Sequence, residues 1–227
     1  MLYIVGTPIG NLEDISLRQA RTLFESEVIL SEDTRSTGIL FQQIAKMFKI
    51  ERKTDQKIIH YAKEQEFERL PEIIEMLEDQ RIISLISQAG MPVISDPGFL
   101  LITHAIKNDL PFTVIPGPSA VINSLILSGS PASVFTFMGF LPKRTNEVKK
   151  VFAKLQQHKS IEKDMTFIFY ESPHRINETL ALIAEHLPEM NVSVTREMTK
   201  QFEETTRGLA SEIKDREYRG EITLVIS

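Results

Sequence analysis

The sequence predicts an α/β protein of two domains, a mainly parallel sheet followed by a mixed one. Three observations carry that expectation. In the first half, short apolar runs alternate with segments of helical periodicity. In the second, four strand-like runs are joined by long helical connections in only some of the gaps. Between the halves, Gly129 to Ala132 forms a cluster of turn residues. Near-continuous apolar strands imply a sheet covered on both faces, as parallel sheets are.

The elements follow in order. LYIVG (2–6) is a strand; Leu17, Ala20 and Phe24 mark a helix; VILSED (28–33) is a strand, with a helix from about Ser36. IIHY (58–61) is a short strand, and Phe67, Leu70, Ile74 and Leu77 place the apolar face of the next helix. RIISLIS (81–87), a helix after Pro97 and FTVIP (112–116) continue the alternation, and GPSAVINSLILSGSP (117–131) is a helix closed by Gly and Pro. VFTFMGFLP (134–142), MTFIFYES (165–172), NVSVTREM (191–198) and GEITLVIS (220–227) are the strands of the second half. The expected domains are therefore 1–130 and 131–227.

Composition bounds the chemistry. The chain has 227 residues, 42% hydrophobic and 25% charged, enough for globular domains with cores of their own. Its longest apolar runs are strand-length, short of the ~20 residues of a transmembrane helix. MLYIVGTPIG has no basic region and reads as a strand, so no signal peptide is expected and the cytoplasm is the expected compartment. With no cysteine, disulfides, thiolate zinc sites and cysteine nucleophiles are excluded. The five histidines form no His-x-x-x-His pair, so no metal site is expected. A net charge of −5 argues against non-specific coating of nucleic acid, which depends on Lys and Arg neutralising phosphates. Local basic clusters remain, at Lys46 to Lys57 and at Lys143 to Lys159. In the second, Val148, Val151, Phe152 and Leu155 share a helix face and leave the lysines on the wet side.

In open α/β sheets, ligands bind at the carboxyl ends of the strands. Four first-domain strands run into Gly- and Pro-rich loops there: GTPIGN (6–11), SEDTR (31–35), SQAGMPVISDPG (87–98) and PGPSA (116–120). Gly lets a ligand approach the main chain closely and Pro keeps a loop rigid, so their convergence predicts a preorganised polar pocket. Neither G-x-x-x-x-G-K-[ST] nor G-x-G-x-x-G nor a G-x-S-x-G elbow occurs. Pattern alone thus defines a small-molecule-binding enzyme of unspecified chemistry.

LYIVGTPIGNLEDIS, SEDTRST, SDPGF, VIPGPSA, FMGFLPKR, FYESPHR, TREMTK and RGEITLVI, in this order and spacing, resemble the small-subunit ribosomal RNA ribose methyltransferase I family of the tetrapyrrole (corrin/porphyrin) methylase superfamily. The resemblance runs from Leu2 to Ile226. It implies a homodimer with S-adenosylmethionine in a cleft between two α/β domains. The implied acceptor is the ribose 2′-hydroxyl of a decoding-region cytidine, in ribosomal RNA or in the assembled 30S subunit. The donor would be met by Pro8, by Ser87, Gln88, Ala89, Gly90, Pro92, Ile94 and Ser95, by Ser119 and Ala120, and by Tyr170, Glu171 and Leu209. The long loop departs from the family's usual Ser-Asp-Ala-Gly-Thr-Pro: Gln88 stands for Asp and Met91 for Thr. An amide accepts hydrogen bonds without charge assistance, so donor binding is expected to survive through the backbone but to weaken.

A sulfonium methyl is already activated, so catalysis is mainly alignment, with a base or cation beside the attacking hydroxyl. The candidates are Asp33 and Arg35, Glu197 and Lys200, and His174. Each has a structural alternative: Asp33 as a helix cap, Glu197 as a partner of Arg196, and His174 with Arg175 as the opening of a helix. Lys143, Arg144, His174 and Arg175 are the expected RNA contacts. Two other readings stay open, a methylase of a small tetrapyrrole-like molecule and a non-catalytic, cofactor-binding relative associated with the ribosome.

Overall fold

The computed structural model describes residues 1–227. It divides into two compact units, Met1–Ser119 and Ala120–Ser227. The first contains β1 (Leu2–Val5), α1 (Leu17–Glu25), β2 (Val28–Ser31), α2 (Thr34–Phe48), β3 (Lys57–His60), α3 (Glu66–Glu78), β4 (Ile83–Ile86), α4 (Phe99–Lys107) and β5 (Phe112–Ile115). Its five-stranded sheet has the order β3-β2-β4-β1-β5, and every pairing is parallel.

Side chains alternate across each strand, and both faces of this sheet are covered. Leu2, Ile4, Val28, Leu30, Ile83 and Leu85 pack with Leu70, Ile73 and Leu77 of α3 and Leu101 of α4. Val5, Ile29, Ile86 and Ile115 pack with Leu23 and Phe24 of α1 and Phe41 and Ile44 of α2. The strands therefore read as unbroken apolar runs. One helix face differs from expectation: Phe67 is 79% exposed, and Glu66 takes its place on the inward side with Leu70, Ile73 and Leu77. α2 also begins before Ser36, because Asp33 caps it.

The second unit contains α5 (Ala120–Ser128), β6 (Phe135–Phe140), α6 (Thr145–Ile161), β7 (Thr166–Glu171), α7 (Ile176–His186), β8 (Asn191–Arg196), β9 (Glu204–Leu209), α8 (Ala210–Ile213) and β10 (Ile222–Ile226). Its five-stranded sheet runs β6-β7-β10-β8-β9 and is mixed, with β6 and β7 parallel and the remaining pairs antiparallel. On one face, Val148, Phe152 and Leu155 of α6 and Ile176, Leu180 and Ile183 of α7 cover Phe167, Phe169, Val192, Val194 and Leu224. On the other, Val121 and Leu125 of α5 cover Ile168 and Val225.

That second contact moves the expected domain boundary. α5 packs on β7, β8, β9 and β10, so the division falls before it and not at the turn residues Gly129 to Ala132 that follow it. β9 has no counterpart among the expected strands. Glu204-Thr-Thr-Arg-Gly-Leu is an edge strand in which only Thr206 is buried, and it carries no apolar alternation to reveal it.

Candidate active site

Three of the Gly- and Pro-rich loops of the first unit meet at Gly90. Thr7 and Gly90 exchange backbone hydrogen bonds at 2.9 and 3.1 Å, joining the loops after β1 and β4. The Thr7 hydroxyl donates to the Ser87 carbonyl at 3.3 Å, and the Ser87 hydroxyl donates to the Gly90 carbonyl at 3.2 Å. Gly90 has φ +82°, and a Cβ there would come within 3.2 Å of Ile9 and 3.6 Å of the Pro118 carbonyl, so the loop after β5 closes the same point.

The loops after β1 and β5 run backbone against backbone. A Cβ on Gly6 would lie 2.7 Å from the Gly117 Cα, and one on Gly117 would lie 2.9 Å from Gly6. Gln19 locks this contact from beneath. Its Oε1 accepts from the Ser16 N–H at 2.6 Å in a capping box at the start of α1, while its Nε2 donates to the Gly6 carbonyl at 2.7 Å.

The long loop from Ser87 to Gly98 is held in an unfavourable backbone. Val93 and Ser95 adopt φ of 75° and 73°. Such conformations cost about 1–3 kcal/mol each and persist where surrounding structure imposes them. The restraint at the loop's far end is Glu66, whose side chain is buried. Its Oε1 accepts from Gly98 N at 2.9 Å, Leu100 N at 3.0 Å and the Tyr61 hydroxyl at 3.2 Å. These amides open α4, so the carboxylate satisfies two donors that would otherwise lack partners and sits at the positive end of the helix dipole.

Carboxylates also gather at the carboxyl edge of the sheet. Burial and the neighbouring Glu32 push Asp96 up from 3.8 to about 6, against a hydrogen bond from Ser87 that pulls the other way. Asp33 is engaged in capping α2: its Oδ1 accepts from Arg35 N at 2.8 Å and Ser36 N at 3.1 Å, and its Oδ2 from the Ser36 hydroxyl at 2.6 Å. Those hydrogen bonds hold its carboxyl below the usual value. Arg35 is exposed on the first turn of α2.

In the second unit, Glu197 pairs with Lys200 and not with Arg196, which binds Glu204 at 2.8 Å. Lys200 Nζ lies 2.9 Å from Glu197 Oε1 and 2.8 Å from Glu221 Oε2, and Glu197 Oε1 also accepts from Glu221 N at 3.0 Å. The connection from β8 to β9 that they stabilise holds Glu197 at φ 49° and Thr199 at φ 63°. The bonds from Glu221 and Lys200 lower Glu197, and the carboxylates raise Lys200 despite its partial burial, so both stay ionised at neutral pH.

Glu171 ends β7 with its side chain buried. Oε1 accepts from Ser172 N at 2.6 Å and from Arg175 at 2.5 Å, and Oε2 accepts from the Thr179 hydroxyl at 2.9 Å. Arg175 also donates to the carbonyls of Pro142 at 3.1 Å and Leu141 at 3.3 Å. Beyond that loop, Lys143, Arg144 and Lys150 line an open depression of about 550 Å³ at the start of α6. His174 is exposed, and its N–H donates to the Ser172 hydroxyl at 3.3 Å. Tyr170 stacks edge-on with Phe137 and Phe140, at 4.9 and 5.4 Å between ring centroids, and Leu209 closes β9.

The structure thus brings Pro8, Ser87 to Ser95 and Ser119 to one edge of the first sheet. Ala120, Tyr170, Glu171 and Leu209 belong to the second unit. Glu66, Asp96, Thr7 and Gln19 are additions to the sequence-level candidates. Glu66 had a visible signal, a carboxylate at the helical spacing of Leu70, Ile73 and Leu77. Asp96 had none beyond its place in a turn, since its character comes from burial and from Glu32.

A parallel α/β unit with Gly- and Pro-rich loops at its carboxyl edge, followed by a unit with a mixed sheet, fits the tetrapyrrole (corrin/porphyrin) methylases, whose family model matches residues 1–214. Among solved structures, a diphthine synthase is similar with a TM-score of 0.71 at 14% identity, covering 99% of this chain and 88% of that one. The methyltransferase CobJ is similar with a TM-score of 0.69 at 14% identity, covering 100% and 93%. The ribosomal RNA small subunit methyltransferase I of Hydrogenobaculum sp. is 41% identical over 233 residues, the whole of this chain and 95% of the relative. That of Thermotoga maritima is 38% identical over 231 residues, again the whole chain and 97% of the relative. The chain belongs to the ribosomal RNA small subunit methyltransferase I family within the tetrapyrrole methylases.

Proposed function

We propose that this protein transfers the methyl group of S-adenosylmethionine to the ribose 2′-hydroxyl of a decoding-region cytidine in small-subunit ribosomal RNA. The observation that carries the reading is full-length similarity to relatives named for small-subunit ribosomal RNA methylation. Methylases of this family use S-adenosylmethionine. The solved structures share the fold at 14% identity and leave the acceptor to those relatives.

The first-unit loops fit the donor chemically. A sulfonium and an ammonium want carbonyl and carboxylate oxygens nearby, and a rigid backbone cradle supplies the carbonyls. The tight turn at Gly90, the exposed Gln88, Ala89, Ile94 and Ser95 around it, and the half-buried Asp96 are such a set. Gln88 in place of a carboxylate removes one charge, so donor affinity is expected to be weakened. Ser119 and Pro8 bound the cradle within the first unit, and the resemblance adds Ala120, Tyr170 and Leu209 of the second unit as expected donor contacts. Because the Glu171 carboxylate is taken by Arg175, Thr179 and Ser172, a donor contact from this residue falls to its backbone.

Bound S-adenosylmethionine supplies an activated methyl group, and the protein's part is orientation and charge. A general base works best with a pKa near the operating pH, and Asp33 and Glu197 are both shifted the other way. Lys200 stays an ammonium. In this reading, Arg35 is the cation that the first unit offers and Lys200 the one that the second unit offers, and Lys143 and Arg144 hold RNA phosphates. A homodimer belongs to the same reading. Ile126, Phe135 and Phe140, at 70%, 38% and 62% exposure, leave apolar surface that a second copy would cover.

The test is labelled-methyl transfer to 30S subunits, free ribosomal RNA and a porphyrinoid in parallel. Label in RNA alone supports the reading. Label in the porphyrinoid alone assigns the chain to small-molecule methylation, and donor binding without transfer to any acceptor assigns it to the non-catalytic relatives.

A further inference from the structure

Arg175 reads from the sequence as an RNA contact, yet its guanidinium is spent inside the protein. Its Nη1 donates to the Pro142 carbonyl, and its Nη2 donates to the Leu141 carbonyl and to Glu171 Oε1. Only 27% of the side chain is exposed, against 84% for Arg144. Glu171 is fixed in turn by Thr179 on α7 and by the Ser172 amide, and its side chain has no exposed surface. A continuous path of hydrogen bonds therefore runs from α7 to the two residues that immediately precede Lys143 and Arg144. Planar forked donors fit such a task, because one guanidinium spans several acceptors that a lysine ammonium cannot hold together.

We propose that Arg175 is a positioning residue for RNA: with Glu171 behind it, it fixes the Leu141–Pro142 backbone so that Lys143 and Arg144 present their charges at the start of α6. The inference rests on the RNA methyltransferase reading. It assigns the recognition to Lys143 and Arg144 and removes Arg175 from the phosphate contacts.

The experiment is the salt dependence of binding to 30S subunits for the wild type, K143A/R144A, R175A and the triple variant. R175K and E171Q serve as variants that keep side-chain volume if R175A does not fold. Each lost phosphate contact lowers the log–log slope by about 0.7 for unpaired RNA. The double variant is expected to lose about 1.4 from the slope on that scale. R175A, R175K and E171Q should lose part of the same amount, and the triple variant should match the double. A merely structural role would lower the melting temperature and leave the slope unchanged, which overturns the proposal. A triple variant about 0.7 below the double overturns it too, because Arg175 would then touch a phosphate itself. Wild-type binding with no salt dependence would instead overturn the RNA reading on which the proposal rests.

Discussion

Glu66, at the start of α3, accepts the amide of Gly98 at 2.9 Å and so ties one end of the loop from Ser87 to Gly98 to a helix that precedes it by a whole strand. Because the same oxygen also holds Leu100 N and the Tyr61 hydroxyl, one buried group sets the loop's exit and the start of α4. Glu66→Ala is expected to destabilise the protein by about 1–3 kcal/mol per orphaned amide. Glu66→Gln, which keeps an acceptor oxygen in place, should recover most of that loss. Chemical denaturation measures the stability, and calorimetric titration with S-adenosylmethionine should show weakened binding for Ala well beyond Gln. Equal donor affinity in both variants would detach Glu66 from the loop's function.

Gly6→Ala tests the close approach of the loops after β1 and β5. Its Cβ would lie 2.7 Å from both the Gly117 Cα and the Met91 sulfur. The thioether can swing away but the backbone cannot, so the loops must part, at about 1–3 kcal/mol for an overpacked site. Donor affinity should fall at least tenfold. Gly38→Ala, where a Cβ meets nothing within 4 Å, is the control and should leave affinity unchanged.

Asp96 makes stability and binding depend on pH in opposite senses. Its folded pKa, about 6, lies above its ordinary 3.8, so between these values the folded state holds a proton that the unfolded state has lost. Stability from this group is full below the lower value and is lost as pH rises through the upper one. Asp96→Asn should therefore raise the melting temperature relative to wild type at pH 7.5 and have little effect at pH 4. The ionised carboxylate favours a cationic donor, so wild-type affinity for S-adenosylmethionine should rise between pH 5 and pH 7, and the rise should vanish in Asp96→Asn. A parallel rise in the variant would place the titrating group elsewhere.

Asp33 separates capping from catalysis. Its oxygens are committed to Arg35 N, Ser36 N and the Ser36 hydroxyl. Asp33→Asn preserves an N-cap acceptor and should keep melting temperature and turnover near wild type, while Asp33→Ala should lower the melting temperature. Turnover lost in Asp33→Asn with the fold intact would restore a chemical role for its charge.

The parts of the fold with a strong periodic signal were legible in the sequence: the parallel sheet, whose strands are apolar on both faces, and α6, whose Val148, Phe152 and Leu155 face inward. β9 was not, because an edge strand with one buried residue has no pattern to read. Nor was the place of α5, since a turn cluster marks where the chain bends and not which sheet a helix covers. The loops of the site were visible as Gly- and Pro-rich strings. What joins them was not, since the Thr7 to Gly90 bridge and the Glu66 to Gly98 bond link residues far apart in the chain.

The acceptor is identified by the position of the methyl group after labelled transfer from S-adenosylmethionine to 30S subunits lacking ribose methylation. Label is expected in the small-subunit RNA at one decoding-region cytidine, with the adjoining phosphodiester resistant to alkali because the 2′-oxygen is blocked. Label on a base, leaving every linkage sensitive to alkali, would contradict it.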